Sequence, residues 1–169
     1  MNAIVYTSNT GTTKEYAKLL SDKLSLPYYS LDEIKNKVKP GGKIIYLGWI
    51  MASGVKGYKK AIKDYDVCAV GAVGMGETGT QVKEVRTKNK IPSSIPVFTL
   101  QGGFDVKKLH GIYKLMMTIM VKTAGKGLAN KQDRTQEEDQ MLEMMLHGGK
   151  YVDEKNLKAI LDWYGKRGE

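Results

Sequence analysis

Cysteine occurs once in the 169 residues, at Cys68, and histidine twice, at His110 and His147. A single cysteine excludes an intramolecular disulfide framework and a cysteine-based zinc site. Two histidines argue against a multi-histidine metal centre. No stretch approaches the roughly 20 apolar residues that span a bilayer. The opening Met-Asn-Ala-Ile-Val-Tyr has no basic segment ahead of its apolar run, so no signal peptide is expected and the expected compartment is the cytoplasm. Hydrophobic residues at 41% and charged residues at 27% set aside collagen-like, mucin-like and wholly disordered chains. The length predicts a single domain over residues 1–169.

Acidic residues are the minority: 18 against 27 basic ones, for a formal net charge of +9. The excess is uneven, with +7 over residues 1–103, +5 over the much shorter 104–134 and −3 over 135–169. Such a balance suits an acidic partner, an anionic ligand or an anionic membrane surface; the simpler alternative is a well-solvated surface. No zinc finger, RNP-like aromatic motif or helix-turn-helix is present, and the basic residues are scattered, so no specific nucleic-acid partner is expected.

Apolar runs at 3–7, 43–48, 67–73 and 96–100 read as strands, with a short one at 27–30. Helical periodicity follows the first run, through Tyr16, Ala17, Leu19, Leu20 and Leu24, and recurs over 56–64 with Tyr58, Ala61 and Ile62 facing inward. Alternating strands and helices predict a doubly wound α/β fold, a parallel sheet with helices on both faces. Ligands of such sheets bind beyond the strand C-termini, near the switch in strand order. Beyond residue 104 a helix is expected over 105–123, a linker over 124–134 and a second helix after the capping box Thr135-Gln-Glu-Glu138. The last helix carries Leu157, Ile160, Leu161 and Tyr164 on one face. The 105–147 segment is thus two helices more than a minimal five-strand domain needs.

The first loop, Ser8-Asn9-Thr10-Gly11-Thr12-Thr13, places four hydroxyls and an amide between a strand and a helix start. Unpaired amides and the positive helix end favour a phosphate there, and Gly11 allows close backbone approach. Walker A chemistry is excluded, because no Gly-Lys-Ser/Thr is present; a terminal monophosphate fits better. The alternative is that these residues merely cap the helix, although one cap uses one hydroxyl.

Thr/Ser-x-Thr-Gly-x-Thr after a first strand resembles the FMN phosphate loop of flavodoxins. More loosely, the chain looks like the flavodoxin-domain branch that includes FMN-dependent protoporphyrinogen dehydrogenases, through a Gly48–Gly54 loop and the basic, Met-rich segment after the last strand. The resemblance implies strand order 2-1-3-4-5, noncovalent FMN held by the first loop, and two further loops beside the flavin. One is Gly48-Trp49-Ile50-Met51-Ala-Ser-Gly54, with Trp49 and Met51 as candidate ring covers. Electron-carrier flavodoxins have Ser or Thr where Trp49 stands; an alternative is that Trp49 only packs. The other is Gly74-Met75-Gly76-Glu77-Thr78-Gly79 with Val73 before it, its amides facing the flavin's pyrimidine edge and Glu77 lowering the flavin potential.

Gly74–Gly79 also spells the dinucleotide fingerprint Gly-x-Gly-x-x-Gly. The acidic residue expected about 20 positions later is missing, Thr99 and Leu100 standing there, and 81–90 is too polar for a helix packed tightly on a sheet. A fourth loop, Gln101-Gly102-Gly103, either borders the substrate side or is a simple turn.

Six of the nine methionines fall between Met116 and Met145. Leu109, Ile112, Tyr113, Met116 and Met120 share a helical face flanked by lysines. The 104–124 helix is open to three readings: an internal helix packed on its Met-rich neighbour, a basic amphipathic element on an anionic membrane, or a homodimer or partner groove. The functional expectation is an FMN oxidoreductase acting on a quinone- or porphyrinogen-class substrate, with no side chain nominated as catalytic. The alternatives are a one-electron carrier docking on a protein redox partner and a flavin-free binding or regulatory module.

Overall fold

The computed structural model describes residues 1–104 and 111–167. Strand β1 (Ala3–Thr7) leads into helix α1 (Thr12–Leu24), then β2 (Tyr28–Ser30), β3 (Lys43–Met51), β4 (Gly54–Val55), α2 (Tyr58–Asp64), β5 (Asp66–Gly74), α3 (Val82–Asn89) and β6 (Val97–Gln101). Five strands pair in parallel in the order β2-β1-β3-β5-β6, and β4 pairs antiparallel with the end of β3. Because β4 takes a number, β5 and β6 are the fourth and fifth parallel strands of the chain.

Both faces of the sheet are covered, as strands of nearly continuous apolar sequence require. One face buries Val5, Ile44, Tyr46, Val70 and Ala72 against Tyr58 and Ala61 of α2 and Val85 of α3. The other buries Ile4, Ile45, Leu47 and Leu100 against Tyr16, Ala17 and Leu20 of α1 and Leu157 and Ile160 near the C-terminus. At roughly 1.5–3 kcal/mol per buried large apolar side chain, these two layers are the main stabilising term. Ile62, expected inward, is 46% exposed; α2 has only seven residues and turns Tyr58 and Ala61 to the sheet instead.

The polar 81–90 segment does form a helix packed on the sheet, contrary to expectation. Val85 supplies its fully buried contact, and Asn89 is buried because all of its polar atoms find partners.

After β6 a two-stranded ribbon forms from β7 (Gly103–Phe104) and β8 (Gly149–Lys150). Between them lie α4 (Gly111–Met120), a π-helical turn (Val121–Gly125), α5 (Lys126–Asn130) and α6 (Gln136–His147). The first six residues of the helix expected over 105–123 fall outside the described residues. The linker expected over 124–134 is helical as far as Asn130. Thr123 Oγ1, in the π turn, donates back to Ile119 O of α4 at 2.9 Å, and the helix continues through the turn rather than stopping. The capping box forms: Glu138 N–H donates to Thr135 Oγ1 and Thr135 N–H to the Glu138 carboxylate. Asp153 caps a 3₁₀ turn (Glu154–Leu157) that feeds α7 (Lys158–Gly165). Among the described residues no helix is long and apolar enough to cross a membrane.

Candidate functional site

The turn from β1 to α1 is built on Gly11, whose φ of +105° is a region that side chains disfavour. Gly11 N–H donates to Ser8 Oγ at 3.2 Å, which folds the loop on itself. No side chain caps α1. The first intrahelical bond runs from Glu15 N–H to Gly11 O, leaving the amides of Thr12, Thr13 and Lys14 at the positive end of the helix. Helix capping therefore does not account for the hydroxyls. Thr13, an expected site residue, is fully buried and borders neither of the two clefts that flank this loop, and its Oγ1 is without a hydrogen-bond partner among the described residues. Thr12 Oγ1 donates to Gly103 O at 3.2 Å, tying this loop to the fourth.

A cleft of about 320 Å³ opens at the C-terminal edge of β1, β3, β5 and β6. Asn9, Thr10 and Thr12 form its first wall, and Trp49 and Ile50 its second. Val73, Gly74, Met75, Gly76 and Glu77 form the third. Three loops separated in sequence thus converge on one space. Gly103, from the fourth loop, joins them.

Several expected site residues stand elsewhere. Ser8 and Gly11 face a second cleft of about 340 Å³ on the other side of the first loop, between the ends of β1 and β2. Gly48 is not in a loop: it pairs with Thr7 and Ala72 inside the sheet. A Cβ there would lie 2.5 Å from Val55 Cγ1, so it is a packing glycine. Met51 and Gly54 pair across a hairpin closed by Ala52 and Ser53, both at positive φ (47° and 59°). The expected flavin-flanking loop is thus largely a β-hairpin. Buried Asn89 holds it: Val55 N–H donates to Asn89 Oδ1 at 2.8 Å, and Asn89 Nδ2 donates to Ser53 O at 2.9 Å. Gly79 is turned to the sheet, its N–H bonding Thr99 Oγ1 at 3.1 Å; that hydroxyl donates to Thr80 O at 2.6 Å. Thr99, at the position where a dinucleotide fingerprint needs an acid, instead fastens the third loop.

Sequence reading missed Ala72, Thr80, Gln81, Thr99, Leu100 and Met141 as cleft neighbours, and placed Ala52 and Ser53 there only as part of the second loop. Met141 comes from α6, 40 residues beyond β6, and nothing local signals its return. The hairpin turn is hidden because Ala and Ser are not the residues that usually mark two consecutive left-handed positions.

The electrostatics are set by burial and by lysines. Lys56 Nζ lies 5.6 Å from the centroid of the Trp49 ring, a cation–π distance. Burial pushes the Tyr46 phenol well above the usual tyrosine range, so it stays a neutral donor to Lys56 O at 2.7 Å beside Thr7 Oγ1. Compared with models of known protein families, with curated proteins and with solved structures, the chain matches none.

Proposed function

We propose that this chain is a flavodoxin-type FMN oxidoreductase, acting on an organic substrate of the quinone or porphyrinogen class. The observation that carries the reading is Thr13: a buried, unpartnered hydroxyl in the first turn of an uncapped helix. Leaving such a hydroxyl unsatisfied costs about 1–3 kcal/mol, a cost that an anionic oxygen seated close enough to accept from Oγ1 would remove. The donor set suits a phosphate monoester, combining Thr10, Thr13 and the amides of residues 12–14 without a Walker lysine.

Trp49, Ile50 and Met75 give the cleft apolar walls on which a flavin ring loses its water. Gly74 and Gly76 carry no side chain between backbone and ligand. When bound, FMN supplies hydride and electron transfer; the protein binds it, orients it and shields it. Met141 favours an enzyme over a carrier. Through it the inserted helical segment contributes to the cleft, whereas a carrier needs the ring edge open to its partner.

Titration of the purified chain with FMN, followed by flavin fluorescence and calorimetry, tests the reading. Saturable quenching with a matching heat is expected, and silence in both overturns it. Turnover of a quinone or porphyrinogen by the loaded protein separates the enzyme from the carrier.

A further inference from the structure

The segment between β7 and β8 carries a surface that neither cleft explains. Among the described residues four large apolar side chains stand exposed, and three of them belong to this segment: Leu115 (58%), Ile119 (53%) and Leu146 (45%). Leu115 and Ile119 lie one turn apart on α4 and share a face. Lys114 and Lys122 stand beside them and Lys126 one turn further on, all three exposed and without an ion pair among the described residues. The first acid after Gly111 in the sequence is Asp133. On α6, Glu138 is paired with Lys131 at 2.6 Å and Asp139 with Arg134 at 2.5 Å, while Glu143 lies 3.9 Å from His147. Thr118 and Thr123, also exposed, return their hydroxyls to Lys114 O and Ile119 O, each at 2.9 Å. This surface is therefore apolar and cationic, with its hydroxyls already used inside the helix.

We propose that this face binds the surface of an anionic bilayer, Leu115 and Ile119 entering the headgroup boundary and the three lysines meeting lipid phosphates. Apolar side chains held in water lose that cost when they are buried at an interface. Lysines suit the same boundary, because their stems lie on the apolar side while the ammonium groups stay at headgroup level, and each is drawn to an anionic leaflet. With ten residues, α4 is too short to cross a bilayer, so it lies along the surface. A second copy of the chain is the poorer occupant. A symmetric pairing brings a second set of lysines to the same face, with no acid in the 111–132 stretch to meet them. Met141, on α6 of the same segment, borders the first cleft, so the segment that meets lipid also forms part of the cleft wall. The inference uses this surface alone and does not depend on FMN.

The test is co-sedimentation of the full chain with vesicles of phosphatidylcholine alone and of phosphatidylcholine mixed with phosphatidylglycerol, at low and at high salt. Wild type is compared with the double variants Leu115→Ser/Ile119→Ser and Lys122→Glu/Lys126→Glu, each checked for folding by circular dichroism. All four positions are exposed, and the two pairs probe the apolar and the charged part separately, so misfolding of one leaves the other to decide. Wild type is expected to bind the anionic vesicles at low salt, and about tenfold or more weakly at high salt or without phosphatidylglycerol. Each double variant is expected to bind the anionic vesicles about tenfold or more weakly than wild type. No sedimentation with anionic vesicles overturns the inference, as does equal binding to neutral ones or undiminished binding by either folded variant. A dimer in analytical ultracentrifugation that Leu115→Ser/Ile119→Ser abolishes also overturns it, and assigns the face to a second copy. Failure to bind lipid leaves the FMN reading standing, and failure to bind FMN leaves this one standing.

Discussion

At the scale of single residues, Thr13 is where the ligand reading of the first loop and the reading of it as a plain turn make different predictions. Its hydroxyl has no partner among the described residues, so Thr13→Val is expected to act in opposite directions on the free and loaded forms. The free chain loses an unsatisfied buried group and is expected to gain about 1 kcal/mol or more in urea unfolding. FMN loses a hydrogen bond to a charged group and is expected to bind more weakly by on the order of 1.5–3 kcal/mol, read by calorimetry. A variant that destabilises the free protein and leaves FMN affinity untouched would show the hydroxyl to be ordinary packing. Glu77 is exposed at the third wall of the cleft. Glu77→Gln removes a negative charge beside a group that gains negative charge on reduction, so the midpoint potential of FMN-loaded protein is expected to rise in spectroelectrochemical titration.

At the scale of elements, the β3–β4 hairpin shows how far local sequence reaches. Strand β1, helix α1 and the presence of a turn between them were legible because their signals lie within about 20 consecutive residues. The hairpin was not, since its anchor, Asn89, lies 34 residues beyond Val55 and on another helix. The same anchor explains why α3, which looked too polar to pack, does pack. Its second buried residue is polar and fully bonded, and hydropathy patterns cannot register that. Asn89→Leu leaves Val55 N–H and Ser53 O unpaired, and is expected to cost about 1–3 kcal/mol in thermal or urea unfolding. It should also loosen the Trp49 wall of the cleft. The complementary change, Ser53→Gly, relieves a left-handed backbone position. It is expected to stabilise the chain by up to about 1 kcal/mol while leaving Asn89 in place, because the bond uses the Ser53 carbonyl and not its side chain.

At the scale of the whole molecule, two buried phenols tie the sheet to the segments that frame the cleft, one on each face. Tyr46 bridges Thr7 Oγ1 and Lys56 O, each at 2.7 Å, so the end of β1 and the approach to α2 share one hydroxyl. Gly57 must be glycine there: its φ is +81°, and a Cβ would collide with the Tyr46 hydroxyl and Thr7 Oγ1. Tyr16 donates to Gln101 O and accepts from Asn156 Nδ2 at 2.7 Å, fastening α1 and the C-terminal segment to the strand end that presents Gly103. Burial raises both phenols above the ordinary value of about 10, Tyr46 further than Tyr16. Their neutral forms are favoured by folding, so this contribution is complete below pH about 10 and is lost as pH climbs through the raised folded values. Unfolding free energy measured in urea is therefore expected to be flat in this contribution near neutrality and to fall with pH above about 10. Tyr46→Phe should lower stability at neutral pH by about 1–3 kcal/mol, through the unpaired Lys56 carbonyl, and flatten the alkaline decline. An unchanged slope in that variant would place the alkaline sensitivity elsewhere and remove the Tyr46 hydroxyl as the suture between the two sides of the cleft edge.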